Sequence, residues 1–426
     1  MKTVLLPYDK GKLKAGIAQE RKITVLRGSL EEYQPQDTQE NLVEQALANP
    51  IGSKPLWELA RGKKRVTVII SDHTRPVPSK ILLPPMLREI RRGNPDAEIT
   101  LLVATGCHRE TTREELIAKC GAELVEREKI VIHDCDDAEN LVELEHLPSG
   151  GRLLVNRLAV EADLLVAEGF IEPHFFAGYS GGRKSVLPGI ASRKTVLANH
   201  CAKFIASPNA CAGSLDENPI HKDMLFAARQ AGLAFVANVV INAKKEVVAA
   251  FAGDVNEAHR AGVRFLENLC AVKAPLAPIV VTTNNGYPLD QNLYQAVKGM
   301  STAEALVKQG GVIIMAAGCA DGIGGEGFAK FFRETPDAQE LLKRLETVDA
   351  EDTTPDQWQA QICARVLCRA RVILISLLPE ETVRSFGMLP AKDFAEALRL
   401  ADTLVGEENT PITFVPEGIS VVAKGI

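Results

Sequence analysis

Short apolar runs alternate with amphipathic stretches along most of the chain. RVTVIISD (65–72), EITLLVATG (98–106), KIVIHD (129–134) and ADLLVAEGF (162–170) each read as a buried strand closed by a polar or glycine-containing turn. Between them, SKILLPPMLREIRRG (79–93) carries helical spacing, and TTREELIAKCG (111–121) adds capping residues and a terminal glycine. LAFVANVVIN (233–242) is the most apolar run and is also strand-like. Strand, helix and strand in regular succession predict a largely parallel sheet covered by helices.

A second series begins after LCAVKAPLAP (269–278), whose two prolines mark a boundary. Its strands are PIVVTTNNG (278–286), GGVIIMAAG (310–318), RVILISLL (371–378) and PITFVPEG (411–418), with helical patterns near 291–309, 337–345, 356–369 and 391–404. The expected fold class is therefore α/β with two domains, 1–272 and 273–426, each a largely parallel helix-covered sheet, and the active site in the cleft between them. The first domain is expected to hold cofactor and catalysis, the second to close on substrate. The terminal SVVAKGI is free to return to the first domain.

Composition narrows the class. With 426 residues, 46% apolar and 24% charged, the chain has the balance of an ordinary globular protein. A formal charge of −6 argues against general nucleic-acid or anionic-membrane binding. Nine cysteines form an odd set without a C-x-x-C pair, which favours neither a disulfide framework nor a thiolate zinc site and suggests a reducing cytoplasm. MKTVLLPYDKGKLKAG reads as a first strand and not a leader, and no run approaches the ~20 apolar residues that span a bilayer.

In parallel sheets, ligands gather beyond the carboxyl ends of strands. Three such ends deliver a histidine: SDHTRPVPS (71–79) has His73, CHRE (107–110) has His108, and EPHFFAGYSGGRKSVLPGI (172–190) has His174. His133 and His146 lie in an acidic, surface-like region, while His221 and His259 sit in helical contexts, so these four read as structural.

The last of those stretches admits several chemistries. As a phosphate loop it fails at Arg183, where G-x-x-x-x-G-K-[ST] needs glycine. As a nucleophile elbow, GYSGG places Ser180 correctly, but the strand does not run straight into it. An anion-binding turn charged by Arg183 and Lys184, a covalent attachment point at Lys184, and a plain exposed basic turn all remain open. ANHCAKF (198–204) presents His200, and one histidine cannot hold a transition metal alone, so any metal there needs donors from outside the chain. In the second domain, NNGYPLDQNLYQAVKG (284–299) places Tyr294, Gln295 and Lys298 within about one helical turn, suited to gripping a carboxylate. GCADGIGGEGF (318–328) is a glycine-rich loop near the ligand, without a dinucleotide fingerprint.

Together, SDHTRPVPS, ATGCHRE, FIEPHFFAGYSGGRKSVLPGIAS, LANH and LYQAVKG, in this order and spacing, resemble the nickel-dependent lactate racemase family. The resemblance runs from about residue 65 to 330. It implies a two-domain α/β enzyme that interconverts D- and L-lactate through pyruvate, by hydride transfer to and from a nickel pincer nucleotide. That cofactor is pyridinium-3-thioamide-5-thiocarboxylic acid mononucleotide with bound nickel. By motif, Lys184 would tether it covalently and His200 would be the sole protein ligand to nickel. Asp72, His73, Thr74 and Arg75 would line the cofactor and substrate site, and His108 and His174 would be the acid/base pair. Arg75, Tyr294, Gln295 and Lys298 would bind a small 2-hydroxy acid. The implied partners are that substrate and cofactor-assembly proteins; oligomeric state is left open. The alternatives are a racemase or epimerase of another 2-hydroxy acid, a non-catalytic nickel-nucleotide carrier, or a Ser180 hydrolase.

Overall fold

The computed structural model describes all residues, 1–426. Its first sheet runs Val247–Gly253, Leu233–Ile241, Leu164–Phe170, Arg65–Ser71, Glu98–Ala104, Lys129–Ile132. All neighbours are parallel except the outermost pair, Leu233–Ile241 with Val247–Gly253. The second sheet runs Leu389–Ala391, Arg371–Ile375, Val307–Ala316, Ala277–Thr283, Ile412–Val415, Ile23–Val25, and is parallel throughout. The strand runs read between residues 65 and 418 all fall in these two sheets, because each is apolar on both faces and must be covered on both, whereas the amino-terminal run forms a separate hairpin, Lys2–Tyr8 with Gly11–Ile17.

The helices follow from the same logic. Ser79–Gly93 stays helical across Pro84 and Pro85 because Leu82, Leu83, Met86, Leu87 and Ile90 bury one face. At about 1.5–3 kcal/mol per buried side chain, that face outweighs the cost of the prolines. Arg113–Cys120 starts in a complete capping box, with Thr112 and Glu115 bonded reciprocally.

Two features of the domain layout differ from the periodicity reading. The strand Ile23–Val25 adds to the edge of the second sheet beside Ile412–Val415, and the Lys2–Tyr8/Gly11–Ile17 hairpin packs Leu6 and Ile17 into that sheet's core. The first 25 residues therefore sit with the second sheet, a long-range pairing that local pattern cannot reveal. The terminal strand Val422–Gly425 pairs with Ala271–Ala274 at the junction and not with the first sheet.

Sheet order places the site. Arg65–Ser71 and Leu164–Phe170 are neighbours, yet the chain leaves the first towards Glu98–Ala104 and the second towards Leu233–Ile241. That reversal opens a crevice above their carboxyl ends. Ala277–Thr283 and Ile412–Val415 form the equivalent reversal in the second sheet. One apolar cluster includes Ile69 and Leu165 from the first sheet and Val280 and Ile313 from the second, so the floor between the sheets is continuous core.

Candidate active site

The loop after Arg65–Ser71 carries Asp72, His73, Thr74 and Arg75. Asp72 is buried and its Oδ2 lies 2.7 Å from His108 Nδ1, while its Oδ1 accepts from the Thr74 hydroxyl at 2.8 Å. Burial works to raise the Asp72 carboxyl, but the His108 contact, Thr74 and Arg75 outweigh it and the group sits below its ordinary range. A carboxylate only accepts, so His108 Nδ1 donates and Nε2 keeps its lone pair towards the cleft. Arg75 is exposed and donates to the Thr74 hydroxyl at 3.0 Å.

Two groups unnoticed in the sequence hold this loop from behind. Lys119 Nζ donates to the carbonyls of Arg75 (3.0 Å) and Val77 (3.4 Å). Glu168, buried at the end of its strand, accepts from the Ser79 hydroxyl at 2.6 Å and the Ser71 amide at 3.3 Å. Their only sequence signals are a helical lysine and a glutamate inside an apolar strand.

His73 turns the other way. Its Nδ1 lies 3.0 Å from the Thr111 hydroxyl and 3.8 Å from Glu115, against the neighbouring helix, so it is not grouped with its loop partners.

Across the crevice, His174 accepts from the Ala177 amide through Nδ1 at 3.2 Å, which leaves its Nε2 to carry the proton in the neutral ring. Phe175 stacks beside it and Phe176 meets it edge-on at 4.6 Å. Burial, then the positive charges of Lys184 and Lys298, push His174 well below the ordinary histidine range. Glu172 opens onto the same cleft; crowding by protein raises its carboxyl, and Arg75, Lys298 and Lys184 oppose the rise.

The turn that follows corrects the reading of Arg183 as a charge for a bound anion. Arg183 is fully buried and points inward, donating to the carbonyls of Ala177 (2.9 Å), Gly181 (3.1 Å) and Ser180 (3.3 Å), with His259 Nε2 at 3.1 Å. Gly181 has φ +77° and a Cβ there would lie 2.6 Å from Asn238 Oδ1, so the turn requires glycine. Arg183→Met is expected to cost about 1–3 kcal/mol by stranding the Ala177 carbonyl, since the Ser180 carbonyl keeps His259 Nε2 at 2.8 Å and the Gly181 carbonyl keeps the Lys184 amide at 3.2 Å; the loss is read as a lowered urea midpoint. Ser180 is no nucleophile: its hydroxyl donates to the Phe170 carbonyl at 3.0 Å and accepts from the Glu172 amide at 2.9 Å.

Lys184 sits on the short turn Gly182–Ser185 and its amine has no hydrogen bond or ion pair. Burial, then Arg183 and Arg75, with Glu172 opposing, drive it well below the ordinary lysine range. The result is an unpartnered amine that holds its proton weakly, as a nucleophilic lysine must. His200, at the end of Arg193–Asn199, donates from Nδ1 to the Val196 carbonyl at 2.8 Å. Phe176 and Trp358 each meet its ring edge-on at 5.0 Å. Burial, then Lys184, push it down to about 3, so the ring is neutral with its Nε2 lone pair free, as metal ligation requires. Trp358, one of two tryptophans, comes from the second domain and had no motif to announce it.

From the second domain, Asn292 caps Leu293–Glu304 by accepting from the Gln295 amide at 2.9 Å. Lys298 Nζ lies 5.8 Å from the Phe175 ring centroid, across the domain boundary. Burial, then Arg75, with Glu172 opposing, lower Lys298 to about 8. Gln295 makes no side-chain hydrogen bond. The Tyr294 ring meets Phe328 edge-on at 5.7 Å and its carbonyl accepts from the Gln359 side chain, so this residue packs within the second domain beside Asp356 and Trp358. The loop 318–328 packs on the start of this helix, its Gly322 and Ile323 carbonyls accepting from the Leu293 and Tyr294 amides.

His133, read as surface-like, is buried, with Nε2 3.0 Å from the Ala191 carbonyl and Nδ1 3.2 Å from Asn156. His221 and His259 are buried on helices, as their contexts suggested.

Comparison with known proteins covers the whole chain. The family description "Lactate racemase N-terminal domain" matches residues 8–213 and "Lactate racemase C-terminal domain" matches 272–423. The chain is 51% identical to a lactate racemase of Thermoanaerobacterium thermosaccharolyticum and 48% identical to one of Lactiplantibacillus plantarum, covering 100% of each chain in both comparisons. A solved lactate racemase apoprotein from Thermoanaerobacterium thermosaccharolyticum superposes with a TM-score of 0.95 at 50% identity, over 99% of this chain and 100% of that one. No helix is long and apolar enough to cross a membrane.

Proposed function

The chain belongs to the lactate racemase family, whose members are isomerases acting on lactate, and from that premise we propose that it interconverts D- and L-lactate by hydride transfer through pyruvate. The observation that carries the reading is the pair of histidines at the sheet's crevice. His108 offers a lone pair at Nε2 and His174 turns its Nε2 to the same crevice, with Arg75 and Lys298 beside them.

The residues fit a nickel pincer nucleotide: Lys184 supplies an amine without a partner and with its basicity lowered, and His200 a neutral ring with its free nitrogen oriented by Val196. Bound there, the group supplies an acceptor and donor of hydride for the substrate Cα. Hydride chemistry avoids a Cα carbanion, which the adjacent carboxylate makes costly. Arg75 and Lys298 hold the carboxylate, and the amide of Gln295 steadies it. His108 Nε2 takes the hydroxyl proton of one enantiomer, and Asp72 stabilises the imidazolium that forms. His174 faces the other enantiomer, whose hydroxyl points the opposite way; taking that proton at Nε2 requires the ring first to leave the Ala177 amide and carry its own proton on Nδ1, and neutralising Arg75 and Lys298 with the substrate carboxylate relieves two of the charges that hold its basicity low. Asp72 and Thr74 orient His108 and Arg75, whereas His73 supports the adjoining helix.

The cofactor-assembly proteins implied by the tether are proposed partners, the cytoplasm is the proposed location, and 1–272 and 273–426 are the proposed functional halves, with the first 25 residues joined to the second. The test is chiral analysis of lactate after incubation with protein produced with and without those assembly proteins, together with mapping of the Lys184 peptide. Racemisation only in the loaded protein, with a nucleotide-sized adduct on Lys184, supports the reading. Full activity of unmodified protein overturns it.

Lys298 also sets a pH dependence. Its charge is present below about 8 and lost above it, so KM for lactate is expected to rise by up to about tenfold per pH unit beyond that point. Lys298→Arg should flatten that rise in a steady-state pH series.

A further inference from the structure

Two cysteines outside the reaction meet at the rim of the site. Glu98–Ala104 and Lys129–Ile132 are parallel neighbours, with Val103 paired to Ile132. Beyond their ends the two loops are stapled: the Thr105 hydroxyl donates to the His133 carbonyl at 2.5 Å, and the His133 amide donates to the Val103 carbonyl at 3.1 Å. Cys107 and Cys135 lie two residues past the two ends of this staple, Cys107 exposed and Cys135 buried, and each thiol shifts the other's hold on its proton. The arginine of the Arg193–Asn199 helix stands over the pair. Its amide donates to the Cys135 carbonyl at 3.1 Å, and its guanidinium grips Asp136 at 2.7 and 2.9 Å.

We propose that Cys107 and Cys135 form a redox-active dithiol that a small hydroperoxide closes to a disulfide, and that closure detaches His108 from Asp72. The neighbouring Cys135 lowers the Cys107 thiol, burial opposes that, and Arg193 reinforces it, while Cys135 is held up. Cys107, exposed to solvent, is thus the attacking sulfur and buried Cys135 the resolving one. The Cys107 thiolate attacks one peroxide oxygen; the O–O bond breaks, leaving a sulfenic acid and, after taking one proton, a molecule of water or alcohol. The Cys135 sulfur then displaces hydroxide from the sulfenic sulfur, forming the S–S bond and releasing water with the thiol proton. The two thiols lose two electrons and the peroxide gains them.

Sheet order gives the consequence. Lys129–Ile132 lies on one side of Glu98–Ala104 and Arg65–Ser71 on the other, so Cys107 reaches one way and His108 the other, to Asp72. Drawing the sulfurs together to ~2.05 Å pulls the 107–108 peptide away from Asp72. A displacement near 1 Å at a proton-transfer group costs about 100-fold in rate.

The effect on rate rests on the racemase reading, but the disulfide does not. Reduced holoenzyme is treated with hydrogen peroxide, alkylated and digested. The expected result is a loss of about 2 Da and a Cys107–Cys135 linked peptide. Racemisation should fall about 100-fold and return with dithiothreitol, and Cys107→Ser should keep its rate throughout. Peroxide that oxidises Cys107 without linking it, a linked protein with unchanged rate, or equal inactivation of Cys107→Ser would each overturn the proposal. Absence of racemisation in the reduced, untreated holoenzyme would count against the functional reading instead, while the linked peptide still decides the dithiol.

Discussion

Replacing His108 or His174 with alanine is expected to slow lactate racemisation by about 10²–10⁴-fold, the usual worth of a positioned acid or base. The equilibrium constant of a racemisation is one, so each substitution must depress both directions equally at steady state. The two histidines are separated by a half-reaction. Rapid quenching of loaded enzyme with one pure enantiomer should give pyruvate with His108→Ala from only one of them, and with His174→Ala from only the other. Equal pyruvate from both enantiomers in both variants would remove the division of labour. Asp72→Asn should share the His108 defect, since an amide can present its nitrogen to Nδ1 and reverse the ring's tautomer.

Lys184→Ala is expected to abolish racemisation and any covalent adduct, because it removes the amine that carries the tether. Lys184→Arg should be equally inactive, as a guanidinium stays charged. Folding should not suffer. The amine makes no hydrogen bond or ion pair that is lost and the side chain is only half-buried, so stability should change by no more than about 0.5 kcal/mol. Intact mass and a urea titration on the same preparation check both halves. A fully active Lys184→Ala protein would remove the tether.

Much of this was legible in the chain because parallel sheets write themselves as apolar runs and place chemistry just after them. The loops bearing Asp72, His108 and His174 follow three such runs, and the sheet's reversal point gathers them. What could not be read depends on pairing across long separations. Trp358 reaches His200 from the other domain, and the hairpin at the amino terminus joins the second sheet. Nor does sequence give direction: His73 and Arg183 belong to the right loops and turn away from the cleft, His73 to Thr111 and Arg183 to buried carbonyls. Lys119 and Glu168 act only by holding the backbone of a neighbouring loop, a role with no residue pattern of its own.

Arg183 sharpens the reading of its neighbour. A glycine there would complete a phosphate loop, but an inward arginine instead ties down the carbonyls of the turn and leaves Lys184 alone over the crevice. The same rigidity keeps His174 in place, since the Ala177 amide that orients its ring belongs to the residue whose carbonyl Arg183 holds.

The most direct measurement uses lactate carrying deuterium at Cα. One pure enantiomer is incubated with loaded enzyme in ordinary water until racemic, and the isotope content of the other enantiomer is determined by mass spectrometry. Hydride removal and return predict that the deuterium is retained at Cα in the inverted product. Its replacement by solvent hydrogen would show that a proton was abstracted from carbon, and the account of His108, His174 and Lys184 given above would be wrong.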